Sequence, residues 1–135
     1  LLLPGQPILK AEYKAQCAEL GISHMVRFLG YRRDIDRLLA ACDAVVSSSR
    51  QEGLPLNLIE AAARGRFIIA TDVRGNADVV RQSGSGVLVK LNDDEAMAAE
   101  IAKLCASAPE APDRKNIECY DSRAIVKTLF ELYGI

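Results

Sequence analysis

The sequence has no tryptophan and a single histidine, His24, and its four cysteines (Cys17, Cys42, Cys105, Cys119) never fall in a Cys-x-x-Cys spacing. Structural zinc sites draw on closely spaced Cys and His pairs, so nothing here points to a metal. Scattered free thiols suit a reducing compartment instead. No apolar run approaches the roughly 18 residues of a membrane span, and no signal-peptide pattern is present. An excess of charge is missing as well: 17 Lys+Arg against 18 Asp+Glu leave a net charge of −1. That balance gives no global electrostatic reason to bind nucleic acid or an anionic membrane, and no nucleic-acid partner is expected. The chain does not start with Met but directly on Leu1-Leu2-Leu3-Pro4-Gly5, and the expectation is a fragment of a longer protein.

What is present is an ordinary globular balance, 50% hydrophobic and 26% charged residues over 135 positions, enough for one domain over 1–135 with its own core. Hydrophobic periodicity switches repeatedly between strand and helix. LLLPGQ predicts a short buried strand and a Pro-Gly turn. A helix follows over 11–20, with Tyr13, Cys17 and Leu20 on one face and Gly21 as its stop. Strands are predicted at 25–30, 43–49, 66–72 and 86–91, and helices at 33–42, from Pro55, at 76–83, at 93–106 and at 121–133. The run RFIIATD (66–72) is continuously apolar, as in a strand buried on both faces. Residues 107–119 read as a loop. Strands alternating with helices predict an α/β, doubly wound, Rossmann-like parallel sheet flanked by helices. Ligands bind such sheets beyond the carboxyl ends of the strands, which directs attention to the turns at 4–6, 30–33, 48–54 and 72–76.

The turn at 48–54 is the richest. Pro55 suits the first turn of a helix, Gly53 lets a ligand approach closely, and a helix start with free N–H groups favours an anion such as phosphate. From Gly53 to Ala63 the only charge is Glu60. On a helix its side chain leans toward the N-terminus, and a carboxylate in apolar surroundings needs hydrogen-bond donors. A vicinal diol such as a ribose offers two. Glu52, at the strand end, faces the same mouth from the other side. The alternative is that Glu60 pairs with a surface lysine or arginine and Glu52 is a solvated loop residue. Asp43, His24, Tyr13, Tyr120 and Tyr133 read as structural or surface residues, and Cys42 and Cys105 as small hydrophobes on helix faces.

Residues 28–80 resemble the C-terminal, donor-binding domain of the group 1 glycosyltransferases, the retaining family 4 enzymes with the GT-B fold. Three blocks carry the resemblance: RFLGY (27–31), the E-x7-E pair Glu52…Glu60 inside S-x-x-E-G-L-P-L-x-x-x-E-A, and ATDVRGN (70–76). A lone E-x7-E arises by chance in many proteins; inside this pattern it is specific. Beyond residue 91 the similarity thins to a helix pattern. The resemblance implies that Glu60 binds the ribose hydroxyls of a nucleotide diphosphate sugar, and that Glu52 lies near the sugar and its developing charge as the catalytic carboxylate. It implies that Gly53, Leu54 and Pro55 frame the helix start, with the N–H groups of Gly53 and Leu54 toward the phosphates. Gly30, Tyr31 and Arg32 would pack on the base, and Gly75 and Asn76, in the loop after the fourth strand, would lie near phosphates or sugar. No metal or other cofactor is implied, since backbone donors, helix dipole and cations can stabilise the departing diphosphate.

The chain also departs from that pattern. The family carries an Arg and a Lys on the turn after the first strand of this domain, a segment that would precede LLLPGQ, and Arg66 and Arg74 do not look like replacements. The acceptor domain of that pattern is likewise expected to lie outside this chain. The implied whole protein transfers a sugar to an acceptor glycan or lipid-linked sugar, in cell-surface polysaccharide or glycolipid assembly, in the cytoplasm at the inner face of the membrane with peripheral association. The chain alone is expected to be inactive in transfer. Rival readings are a sugar-nucleotide epimerase of the same fold, disfavoured by the E-G-L-P-L-x-x-x-E-A pattern, and a receiver-like interaction domain, disfavoured by the lack of acids after the first strand. A dinucleotide-binding oxidoreductase lacks its G-x-G-x-x-G, because GSGV (84–87) leads into a strand.

Overall fold

The computed structural model of the chain describes residues 1–6, 8–107 and 114–133. It forms two compact units, Leu1–Leu38 and Leu39–Ile135. In the first, β1 (Leu2–Pro4) lies parallel to β2 (Arg27–Gly30), joined through helix α1 (Lys10–Glu19) in a strand–helix–strand unit. The register slips between Leu3 and Pro4, where proline has no N–H to give the ladder. Gly5 N–H then donates to the Gly30 carbonyl at 2.7 Å and extends the pairing past the proline. The first strand is not buried as its composition predicts: Leu2 is 41% exposed and only Leu3 is half-covered. On α1, Cys17 is half-buried whereas Tyr13 and Leu20 are exposed. Three residues make too narrow a strand to cover a whole helix face.

The second unit follows α2 (Ile35–Ala41) with a parallel sheet in the order β3 (Ala44–Ser47), β4 (Phe67–Thr71), β5 (Gly86–Val89). The central strand is the continuous apolar run, and Ile68, Ile69, Ala70 and Thr71 are all buried. Helices α3 (Leu56–Ala63) and α4 (Arg74–Ser83) connect consecutive strands. Right-handed crossovers place two such helices on the same face of the sheet, and α3 and α4 touch. Leu58, Ala61 and Ala62, spaced i, i+3 and i+4, are the buried stripe of α3, while α4 buries Ala77, Val79 and Val80. Gly86 pairs with Ile68 so closely that a Cβ there would sit 1.9 Å from the Ile68 carbonyl oxygen.

Helix α5 (Asp94–Ala106) starts at Asp93, whose Oδ1 accepts the Ala96 N–H at 3.0 Å; Asn92 before it takes a left-handed turn at φ 63°. Arg114–Tyr120 is a 3-10 segment rather than loop, and α6 (Ser122–Tyr133) follows it. Residues 108–113 of the expected loop lie outside the described residues. Cys105 is exposed rather than packed as a small hydrophobe. Cys42, just past α2, is half-buried, and burial raises its thiol pKa. Among the described residues no helix is long and apolar enough to cross a membrane.

The helix read as 76–83 begins two residues earlier, at Arg74. Val73 is extended, and its carbonyl accepts the Ala77 N–H at 2.9 Å, which starts the first turn there. Gly75 and Asn76 are therefore first-turn helical residues and not loop residues.

Candidate functional site

The carboxyl ends of β3 and β4 are apolar strands that finish on hydroxyls, Ser47 and Thr71. Both hydroxyls face inward and build a polar knot under the following loops. Asn76, fully buried, donates its Nδ2 to the carbonyl oxygen and to Oγ1 of Thr71, each at 3.1 Å. The Thr71 hydroxyl in turn donates to the Ser49 carbonyl. On the other side of the loop, Ser47 Oγ donates to Ser49 Oγ at 3.3 Å, and Ser49 Oγ donates to Glu52 Oε1 at 2.7 Å. Asn76 Oδ1 is left without a partner among the described residues. Flipping the amide would turn Oδ1 onto the Thr71 carbonyl, lone pair against lone pair, so the observed orientation is the better one.

Glu52 is thus half-buried and held by a hydroxyl, not a freely solvated loop residue. Its carbonyl accepts the Gly75 N–H at 3.1 Å. A Cβ on Gly75 would lie 2.6 Å from the Gly53 carbonyl oxygen and 2.8 Å from that of Glu52. Only glycine lets the first turn of α4 seat on this loop. Gly53 differs. Its φ lies outside the left-handed range and a Cβ there would meet nothing within 4 Å, so what it contributes is open space. Pro55 is buried and stands just before α3 in an extended conformation, at the cap rather than in the first turn, its carbonyl accepting from Leu58 and Ile59. The N–H groups of Gly53 and Leu54 make no hydrogen bond among the described residues.

Glu60 lies on the side of α3 away from Leu58, Ala61 and Ala62, exposed, and its carboxylate makes no hydrogen bond or ion pair among the described residues. Among the described residues its carboxylate pairs with no surface cation. Leu54 and Leu56 flank it in sequence at 59% and 64% exposure, so the solvent side of this helix start is itself apolar.

Two depressions open over this region. One, about 670 Å³, is lined by residues that include Arg50, Glu52, Gly53, Arg74 and Asp78. The other, about 570 Å³, shares Gly53 and Asp78 and adds Leu54, Gly75 and Tyr120. The Tyr120 hydroxyl donates to Gln82 at 3.1 Å, and burial raises its pKa, helped by the charges of Cys119 and Asp78. Tyr120, which the sequence presents as a structural or surface residue, lines the second depression, and Asp78 and the supporting Ser47, Ser49 and Thr71 are not marked by the sequence reading. The signal for the last three is legible in hindsight: hydroxyls terminating the apolar runs AVVSSS and FIIAT.

Gly30 ends β2, and Tyr31 and Arg32 follow it in the first unit. Tyr31 is 69% exposed. Arg32 forms a two-pronged pair with Asp34, Nε to Oδ1 at 2.8 Å and Nη2 to Oδ2 at 2.6 Å. These hydrogen bonds raise the guanidinium pKa and lower that of the Asp34 carboxyl. Arg66 is a structural residue, its guanidinium donating to the carbonyls of Cys42 and Arg64.

A parallel α/β sheet places a held glutamate, a bare glycine and an accessible second glutamate beyond its strand ends, the place where sheets of this class take ligands. Residues 1–120 match the model of the family described as glycosyl transferases group 1, and the chain belongs to that family. Among its relatives is EpsD of Bacillus subtilis, 36% identical over 104 residues, 77% of this chain and 27% of that one. The UDP-Gal:alpha-D-GlcNAc-diphosphoundecaprenol alpha-1,3-galactosyltransferase of Escherichia coli is 30% identical over 96 residues, 71% of this chain and 24% of that one. Among solved structures, sucrose-phosphate synthase of Thermosynechococcus elongatus superposes with a TM-score of 0.85 at 26% identity, covering 99% of this chain and 37% of that one. The chain thus spans about a quarter of the length of these two curated relatives.

Proposed function

We propose that the chain is the donor-binding part of a glycosyltransferase and binds a nucleotide diphosphate sugar for retaining transfer. The observation that carries this reading is a hydroxyl-held Glu52 and an exposed Glu60 on either side of a helix start, where the Glu60 carboxylate and the N–H groups of Gly53 and Leu54 have no partner among the described residues. Glu60 takes the ribose diol. Glu52 sits by the sugar, where its negative charge stabilises the positive character that develops at the anomeric carbon. The N–H groups of Gly53 and Leu54, ahead of Pro55, meet the diphosphate as negative charge builds on the leaving group. Gly75 and Asn76 support the site from below, by seating α4 on the loop and fixing Thr71. No metal or other cofactor takes part in this scheme.

The relative from Escherichia coli names UDP-Gal as donor and a diphosphoundecaprenol-linked sugar as acceptor. By analogy the whole protein acts on an acceptor glycan or lipid-linked sugar, bound outside this chain, at the inner face of a membrane in surface polysaccharide or glycolipid assembly. Calorimetric titration with UDP, GDP and ADP tests the donor reading. One of them should bind, and Glu60→Gln should weaken it about tenfold or more, the loss of a charged acceptor to two hydroxyls. Unchanged affinity in Glu60→Gln would remove the ribose role.

A further inference from the structure

A diphosphate needs positive charge, and the structure supplies it where the sequence does not suggest it. We propose that Arg50 and Arg74 form a binding pair for an oxyanion of the ligand, a phosphate of the diphosphate or a carboxylate on the transferred sugar. The inference rests on the donor-binding reading above.

Most arginines of the second unit are already occupied. Arg66 serves two carbonyls, Arg81 pairs with Asp72 at 3.0 Å, and Arg123 with Asp121 at 2.8 Å. The guanidinium groups of Arg50 and Arg74 make no hydrogen bond or ion pair among the described residues, and both residues line the depression that holds Glu52. The carboxylate two residues before Arg74, Asp72, is taken by Arg81, so it does not neutralise the free guanidinium. Unpaired arginines also occur elsewhere on the chain; these two differ in sharing a concave surface.

Their backbones are fixed relative to each other. Arg50 follows Ser49, whose carbonyl accepts from Thr71, and Arg74 precedes Gly75, whose N–H donates to the Glu52 carbonyl at 3.1 Å. The two stems therefore rise from one tied platform, and less ordering is left for the ligand to impose. The depression carries two guanidiniums and two carboxylates, Glu52 and Asp78. A simple anion would gain little from such a balance. A ligand with an oxyanion at one end and hydroxyls at the other satisfies all four groups, because guanidinium binds oxyanions in a planar fork and carboxylates accept from hydroxyls.

The test titrates the chain with UDP, UDP-glucose, UDP-glucuronate and inorganic pyrophosphate, as wild type and as Arg50→Ala, Arg74→Ala, Arg74→Lys and Glu60→Gln. Arg50 and Arg74 make no contact that folding needs, so melting temperatures should match. Either alanine variant should lose about tenfold or more in affinity, with partial recovery in Arg74→Lys. A loss already seen with UDP and pyrophosphate assigns the pair to the diphosphate; a loss seen only with UDP-glucuronate assigns it to a sugar carboxylate. If Glu60→Gln weakens UDP while both alanine variants bind every ligand as the wild type does, the arginine pair is refuted and the donor site stands. If no nucleotide binds but pyrophosphate does and Arg74→Ala abolishes it, the pair stands and the donor reading falls. If neither nucleotide nor pyrophosphate binds the wild type, both fall.

Discussion

Gly86→Ala should melt the chain far below the wild type. The added methyl would lie 1.9 Å from the Ile68 carbonyl oxygen, 2.7 Å from its carbon and 2.8 Å from its nitrogen, all backbone atoms that no rotamer change can move aside. Nor can the strand shift freely. Ile68 is fully buried, its N–H donates to Ser85 at 2.8 Å, and β4 is paired on both edges. The cost is at the upper end for overpacking, about 3 kcal/mol or more, and for a chain of this size that lowers Tm by roughly 10 °C. Circular dichroism melts decide it, with Gly53→Ala as control, because a Cβ at Gly53 meets open space. A Gly86→Ala melt within about 2 °C of the control would show that the β4–β5 ladder is looser than its geometry.

Gly75→Ala should harm both stability and ligand binding. Its methyl would come to 2.6 Å from the Gly53 oxygen and within 2.9 Å of the Glu52 carbonyl group, so either α4 withdraws or the loop does. Either way the Gly75 N–H to Glu52 bond lengthens and the glutamate leaves its place beside Ser49. The expected destabilisation is about 1–3 kcal/mol, less than at Gly86 because a helix start can tilt where a central strand cannot. Nucleotide affinity should fall about tenfold or more, since a displacement of even 1 Å at a positioning group is costly. Measured together by melt and calorimetry, a stability loss with unchanged affinity would mean that the Glu52 loop does not contact the ligand.

Much of this architecture is legible in the residues, for identifiable reasons. RFIIATD reads as a buried central strand because its hydrophobicity has no period, and the structure buries Ile68 through Thr71. The start of α3 is marked by Gly53 and Pro55, both local signals. The start of α4 is hidden because Gly75 and Asn76 have weak helical propensity; its first turn is also held by the Glu52 carbonyl, far away in sequence, which accepts the Gly75 N–H. Burial of β1 is misjudged since apolar composition states what a strand could bury, not how much of the chain covers it. Of the proposed site, the two glutamates stand out as isolated charges. The hydroxyl supports do not, since serine and threonine at strand ends are common, and only the fold shows Ser49 between Ser47 and Glu52.

The bonds running from Asn76 through Thr71 to Ser49 have one more consequence. They weld the floor beneath Arg50 and Glu52 to the least accessible strand of the second unit. The Gly75 amide hydrogen, which donates to the Glu52 carbonyl, should then exchange with solvent only as often as β4 itself opens, orders of magnitude more slowly than an untethered surface loop. This part of the molecule is an anvil rather than a lid. Whatever closes over a ligand here must be something other than the loop that carries the acid.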